Sequence, residues 1–407
     1  KNELLMGMNF HSIDEVKKIA IAVAAAMTAA TASAADFTLY GIVDTGLGYT
    51  NLDTLEDPTV NRFEMINGYN CGSRFGFKGT EDLGNGYSVS FVLENGFNSD
   101  SGVLGQGGRM FGREAQVKFH SPYGTLSFGR AGTLLSGAGT LDIFGMNADV
   151  LPGGWDGIFN IGNYQGNGMR LDNMVTYQTP TAAGFTGYLQ YSFANDTVDG
   201  DDNDSRANER NSNRYFAAGL TYNNGPLGVV AIYDTLMFRH YSGDNRTAPS
   251  DQANVGDSRT FTLGGHYDFG VVKLTAYGQY VKGARDGFAD GVQGGADFWE
   301  FDKSDAGNII AEYFDADGYN FHLGAQFPLP CGRLYAGAYY GYLEANDDPD
   351  NTDATNWNIF LAHEYDLSKR TIIYSGIGYR QVKVEDDTED VTDNKATQVI
   401  VGLRHIF

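Results

Sequence analysis

Beyond its first residues the chain lacks any apolar run long enough to form a membrane helix, and its mean hydropathy is negative. A spanning helix needs about 20 consecutive apolar residues, so a helical membrane protein is excluded. Positive charge is short: 28 Lys and Arg stand against 51 Asp and Glu, a formal net charge of -23. That balance argues against nucleic acid as a partner, because phosphate binding needs a basic face. Cysteine is scarce, at two residues, and proline at nine. The seven histidines are scattered, with no His-x-x-His or HExxH spacing, so no metal or other cofactor is expected. No Gly-x-Ser-x-Gly elbow is present, and catalysis is not expected. What the chain has instead is 54 Gly, 25 Tyr and 26 Phe, with 42% hydrophobic residues, too many for a disordered chain. Its 407 residues allow two or three ordinary domains or one large β-domain. A transmembrane β-barrel reconciles these counts, since its apolar surface occupies every second residue and average hydropathy looks soluble.

The first segment reads as a targeting signal. Lys17 and Lys18 precede the apolar run Ile19–Met27, and Ala32-Ser33-Ala34 has the small-residue form of a cleavage site. Asp14 and Glu15 fit an n-region poorly, so residues 1–16 read as an over-extended start. Residues 1–34 carry three basic and three acidic side chains, and residues 35–407 keep the whole -23. Export places the chain in an oxidising compartment if the cell is Gram-negative.

From Phe37 onward the pattern has period 2. Tyr87, Val89, Phe91 and Leu93 alternate with Ser88, Ser90, Val92 and Glu94. Leu263, Gly265 and Tyr267 alternate with Thr262, Gly264 and His266. Each alternation lasts about 8–12 residues, the length of a tilted strand that crosses a bilayer. Seven short connections rich in turn residues (81–86, 121–124, 179–184, 223–228, 268–270, 328–332 and 366–370) alternate with eight long acidic ones. The long ones are 51–69, 98–108, 132–169, 194–213, 239–258, 284–318, 345–355 and 385–395. This predicts an all-β fold, a transmembrane antiparallel barrel of about 16 strands, with short periplasmic turns and long extracellular loops. The chain ends Val401-Gly-Leu-Arg-His-Ile-Phe407, an alternating closing strand with the terminal aromatic that barrel-assembly machinery reads. Cys71 follows a long loop near the outer rim and Cys331 lies in a short turn at the opposite rim. A disulfide needs Cα atoms within about 7 Å, and a barrel wall is about 25 Å tall, so two free thiols are expected.

Several stretches now carry a family resemblance. They are Leu39-Tyr-Gly-Ile-Val-Asp44, Ser73-Arg-Phe-Gly-Phe-Lys-Gly-Thr-Glu-Asp-Leu-Gly84, Phe111-Gly-Arg-Glu-Ala115, Gly124-Thr-Leu-Ser-Phe-Gly-Arg130, Arg170-Leu-Asp-Asn-Met-Val-Thr-Tyr177 and terminal Phe407. Together they resemble the Gram-negative general diffusion porins, trimeric sixteen-stranded barrels, over essentially all of 36–407. The resemblance implies a passive, water-filled outer-membrane channel for small hydrophilic solutes and ions. It implies a homotrimer set among outer-membrane lipid and lipopolysaccharide. It also implies that the third long loop, 132–169, folds into the pore as a constriction. Arg74, Arg113 and Arg170 carry over as a basic ladder, with Arg130, Lys78 and Arg109 as lesser basic candidates. Asp149-Val-Leu-Pro152 resembles the Asp-x-Leu-Pro stretch of related porins, so Asp149 is the expected constriction carboxylate. Gly153 stands where related porins often place Glu, leaving Asp142 and Asp156 as replacements. A transverse field across such a gap orders water and orients dipolar solutes.

Arg74 alternates with Phe75 and Phe77, which favours the lumen. Arg113 shares parity with Ala115, Val117 and Phe119, so either a bulge shifts it or polar side chains face a subunit interface. The runner-up reading is a substrate-specific channel of the same barrel type, which needs an aromatic track or an extended basic ladder. Ion preference stays open, because acidic loops oppose the arginines and screening limits their reach to about 8–10 Å. The acidic run Asp196–Asp204 lacks the EF-hand glycine and glutamate, and reads as a solvated loop, with cation bridging to lipopolysaccharide as a hypothesis.

Overall fold

Alternation of apolar and polar residues shapes the chain into one continuous sheet. A computed structural model describes residues 36–53, 60–136, 141–151, 155–159, 170–193, 213–237, 257–284, 316–346, 351–387 and 390–407. The strands are β1 (Asp36–Asp53), β2 (Val60–Asn67), β3 (Arg74–Gly84), β4 (Tyr87–Gly96), β5 (Glu114–Ser121), β6 (Gly124–Gly132), β7 (Arg170–Gln178) and β8 (Phe185–Ser192). They continue as β9 (Arg214–Asn224), β10 (Leu227–Met237), β11 (Ser258–Asp268), β12 (Lys273–Ala284), β13 (Ala316–Leu329), β14 (Gly332–Ala345), β15 (Asp353–Ser368), β16 (Thr371–Glu385) and β17 (Asp390–Ile406).

Every neighbour pair is antiparallel, and β17 closes on β1 from Ile42 opposite Ile406 to Asp53 opposite Lys395. β2 and β3 share one position in the wall: β2 pairs with the outer half of β1 and β3 with its inner half. The seventeen segments therefore make a closed barrel of sixteen strands, and among the described residues no sheet edge is left free to aggregate. The C-terminal residue is tied in as well, since Phe407 and Gly41 exchange two backbone hydrogen bonds (3.0 and 3.1 Å).

The two faces sort as the alternation requires. Phe261, Leu263, Phe321, Leu323, Ile359, Leu361, Val401 and Leu403 point outward and are exposed. Their neighbours Thr262, Asn320, Phe360, Ala362 and Ile400 point inward and are buried. Tyr267, Phe269, Tyr365 and Phe407 cluster by the short turns, where an aromatic girdle meets the membrane interface.

Two expectations change. Residues 51–69 are not all loop, because β1 runs on to Asp53 and β2 pairs beside it. Residues 385–395 are likewise mostly ladder, with Glu385 opposite Asp390. Hairpin pairing simply continues above the bilayer, which gives strands of up to 18 residues. Both cysteines are free, Cys331 exposed in the β13–β14 turn and Cys71 buried. Cys71 is not at the outer rim, however. It sits in the break between β2 and β3, beside the midpoint of β1. The segments 1–34, 194–212 (with the acidic run), 238–256 and 285–315 lie outside the described residues.

Candidate constriction site

The third long loop carries its own apolar residues, and these need a partner surface. Inside the barrel they find one. Asp142 caps a short helix, α1 (Ile143–Ala148), by accepting from the Gly145 N–H (2.6 Å). Helix α1 packs on β10, β11 and β12, and the 3-10 turn Gly157–Phe159 packs on β15, β16 and β17. Leu134, Leu135, Phe144, Leu151, Trp155 and Phe159 are buried against inward Tyr215, Ile232, Tyr277, Tyr335, Phe360 and Tyr374. Trp155 stacks edge-on against Tyr335 and Tyr374, with centroids 6.3 and 5.5 Å away. Small residues on the wall make room for this. A Cβ on Gly219 would strike Leu134 and Ile143, one on Gly264 would strike Ala148, and one on Gly376 would strike Phe159. Polar ties complete the seat: Ile158 N–H donates to Gln398 (3.2 Å), and the Asn358 amide donates to the Ile158 carbonyl (3.0 Å).

The opposite wall is charged. Glu94 on β4 accepts from Arg113 Nε at 2.7 Å and from the Tyr40 hydroxyl at 3.0 Å, with Arg74 Nη1 at 3.9 Å. Arg74 also donates to the Gly72 carbonyl (2.9 Å) and to Cys71 Sγ (2.7 Å). Arg113 precedes β5, and its N–H donates to the Glu94 carbonyl while Glu94 pairs with Glu114. Two residues thus face one, a bulge that turns both side chains to the lumen. Of the two alternatives left open by its parity, the bulge is the one present. The Arg170 guanidinium lies close enough to Arg74, Arg113 and Asp156 to feel their charges.

The three loop carboxylates differ in what they face. Asp142 is the cap of α1, and burial pushes its carboxyl above the usual range. Asp149 accepts from the Leu151 N–H (2.9 Å). Burial, with the like charge of Asp142, pushes its carboxyl up to about 7, and Lys273 is the cation that opposes this. Asp156 lies in the field of Asp44, Arg113 and Arg170. Burial and the like charge of Asp44 raise its carboxyl to about 7 against the pull of Arg113 and Arg170. Its backbone N–H is fixed by the Tyr69 carbonyl at 2.8 Å. The structure therefore brings together Arg74, Arg113, Arg170 and Asp156, and it sets Asp142 and Asp149 to capping the loop backbone.

Two basic candidates fall elsewhere. Lys78 faces the lumen but lies four residues below Arg74 on β3, roughly 13 Å toward the short turns. There its ammonium sits over the Tyr40 ring, 5.2 Å from the centroid. Arg130 is not a lumen residue. It shares the outward face of β6 with Phe128, which is 42% exposed, while Ser127 and Ala131 face inward. A bulge on β7 places Asp172 and Asn173 opposite it, and Arg130 and Arg109 both bind Asp172 (2.6 and 2.9 Å). Arg109 therefore leaves the pore as well. Glu94 is the important residue that the sequence reading missed. Its signal was present, since it shares the alternation of Ser88, Ser90 and Val92, the face that opposes Phe91 and Leu93.

A closed sixteen-stranded barrel with an apolar exterior, a polar inner wall and a loop tucked inside defines an outer-membrane channel. Comparison with known proteins agrees: the family described as Gram-negative porin matches residues 20–386. An outer membrane porin protein of Bordetella pertussis is 36% identical, covering 96% of this chain and 99% of the relative. A solved anion-selective porin from Comamonas acidovorans has 24% identity and a TM-score of 0.65, covering 92% of this chain and 100% of its own. An outer membrane protein of Vibrio cholerae solved in trimer form gives a TM-score of 0.57 at 16% identity, covering 92% and 100%. The chain belongs to the Gram-negative porin family, and it forms an outer-membrane channel for passive diffusion.

Proposed function

We propose that the loop 132–169 is the constriction of this channel, with Arg74, Arg113 and Arg170 on one side and Asp156 on the other. The observation that carries this reading is the placement of Asp156 in the field of Arg113 and Arg170 by a loop packed on the far wall. Charges opposed across a wet gap sort solutes by size, dipole and charge. Among the groups in that field, three arginines stand against Glu94 and Asp156, while Asp44, beside Asp156, is taken up by the Tyr374 hydroxyl and the Cys71 N–H. The excess favours anions, and ions and small hydrophilic solutes pass without chemistry. Lys78 adds positive charge lower in the lumen.

The working form is a homotrimer in outer-membrane lipid and lipopolysaccharide. Residues 1–34 serve as the cleaved export signal, and 35–407 form one barrel domain. The Vibrio cholerae neighbour in trimer form supports the assembly. A substrate-specific channel gains less support. The lumen tyrosines that would make a sugar track, Tyr215, Tyr277, Tyr335 and Tyr374, are buried under the loop.

Planar-bilayer reversal potentials under a potassium chloride gradient test the proposal. Anion preference that weakens in Arg170→Ala supports it, and an unchanged potential removes Arg170 from the constriction. Saturable block by a single sugar would favour the specific-channel reading.

A further inference from the structure

The break between β2 and β3 is an inward fold of the wall. Gly68 turns the chain at φ +72°, where a side chain would crowd Cys71 and Gly72. The next residues then enter the lumen. Tyr69 is fully buried, and its ring occupies the space left by Gly46 and Gly48 on β1. The Asn70 amide crosses to β15 and donates to Glu364 Oε1 (2.9 Å), while its carbonyl oxygen accepts from Arg404 on β17. Glu364 is buried and is held further by Arg333 (2.7 Å) and the Tyr335 hydroxyl (3.0 Å). Cys71 N–H donates to Asp44 Oδ2 (2.8 Å), whose other oxygen accepts from the Tyr374 hydroxyl (2.6 Å). At its near end the segment carries Arg74, through Cys71 and Gly72. At its other end the Tyr69 carbonyl holds the N–H of Asp156.

We infer that residues 68–73 are a strut of the constriction, with Asn70 as a positioning residue that holds Asp156 against the arginines and so sets charge selectivity. The inference rests on the constriction reading above. A simple wall defect would not place a buried amide between two oppositely charged side chains of strands that are not its neighbours in the sheet. Loss of Asn70 would take one donor from Glu364, leaving it to Arg333 and Tyr335, and would take from Arg404 its amide acceptor, leaving it 3.9 Å from Glu364. It would also free the carbonyl that fixes Asp156 from its anchor. Asn70 touches no solute on this account; it acts through Tyr69 and Asp156.

The native thiol reports on the strut. Cys71 is 5% exposed and covered by Arg74, whereas Cys331 is exposed. In a Cys331→Ser parent, a negatively charged methanethiosulfonate reads access to Cys71 alone. Reversal potentials and labelling rates are compared among this parent, Asp156→Asn, Asn70→Ala and Asn70→Leu, the last keeping size and neutrality while losing both polar contacts. Asp156→Asn is expected to move the pore toward anions. Both Asn70 variants should move it the same way and label about tenfold faster, the factor expected for one lost buried hydrogen bond. Should neither insert as a channel, Asn70→Ser, a neutral change that shortens the side chain away from Glu364 and Arg404, gives the same test. A shift in Asp156→Asn, with unchanged potential and labelling in the strut variants, overturns the strut and leaves the constriction standing. No shift in Asp156→Asn overturns both, since the strut then holds no selectivity group.

Discussion

The two halves of the lumen wall share one backbone geometry and differ in what their inward positions carry. On β3 to β7 those positions hold Arg74, Lys78, Glu94, Glu114, Gln116 and Lys118. On β9 to β16 they hold Tyr215, Ile232, Tyr277, Tyr335, Phe360 and Tyr374. The first set is largely charged, and most of it is buried in ion pairs with its neighbours, while the second is covered by the loop. The same period-2 rule therefore produces a charged wall and an apolar one inside one barrel, and the difference is decided by where a loop lies down. In the proposed constriction the electrostatics follow from that asymmetry, because the loop on the apolar side holds Asp156 in the field of the arginines.

The largest effect on this comparison should come from Trp155, which ties the loop to the apolar wall. Trp155→Ala leaves a cavity against Tyr335 and Tyr374 and is expected to cost about 3–5 kcal/mol of local packing. Lower thermal stability of the barrel and higher single-channel conductance would be measured. Unchanged conductance would mean that the loop is held without its anchor. Next comes Glu94→Gln, which removes the carboxylate shared by Arg74 and Arg113. The reversal potential should move clearly toward anions, and a move toward cations would place Glu94 outside the field.

A smaller shift should come from pH. A carboxyl raised to about 7 is charged above that value and neutral below it, so Asp156 loses its charge as pH falls from about 8 to about 6. Asp149, raised to about 7 by burial, adds in the same direction. Anion preference should therefore grow as pH falls, and Asp156→Asn should flatten most of that dependence. The smallest effect belongs to Arg130→Ala. Its guanidinium serves Asp172 on the outer face, so the reversal potential should stay put. A cation-directed shift as large as that of an Arg170 variant would return Arg130 to the pore.

Much of the barrel was legible because strand faces repeat locally. Alternation alone gave Arg74 its lumen side, and turn residues marked all seven short connections. Arg130 shows the same rule neglected, since Phe128 two residues earlier already marked its face as outward. Arg113 could not be read this way, because a bulge is a property of two strands and one strand's sequence does not display it. The choice among Asp142, Asp149 and Asp156 was also closed to the sequence. Each sits in the same long loop, and only the packing of α1 and Trp155 on distant strands decides which carboxylate enters the field of the arginines. The inward glycines were the overlooked clue. Gly219, Gly264 and Gly376 stand on lumen positions where a wet wall has no need of small residues.

The most direct test is the reversal potential of Arg113→Ala against wild type, in one bilayer under one potassium chloride gradient. The account predicts a shift toward cation preference, because Glu94 and Asp156 lose the arginine they both meet. A potential equal to wild type would contradict it, and the charged wall would then have no part in selectivity.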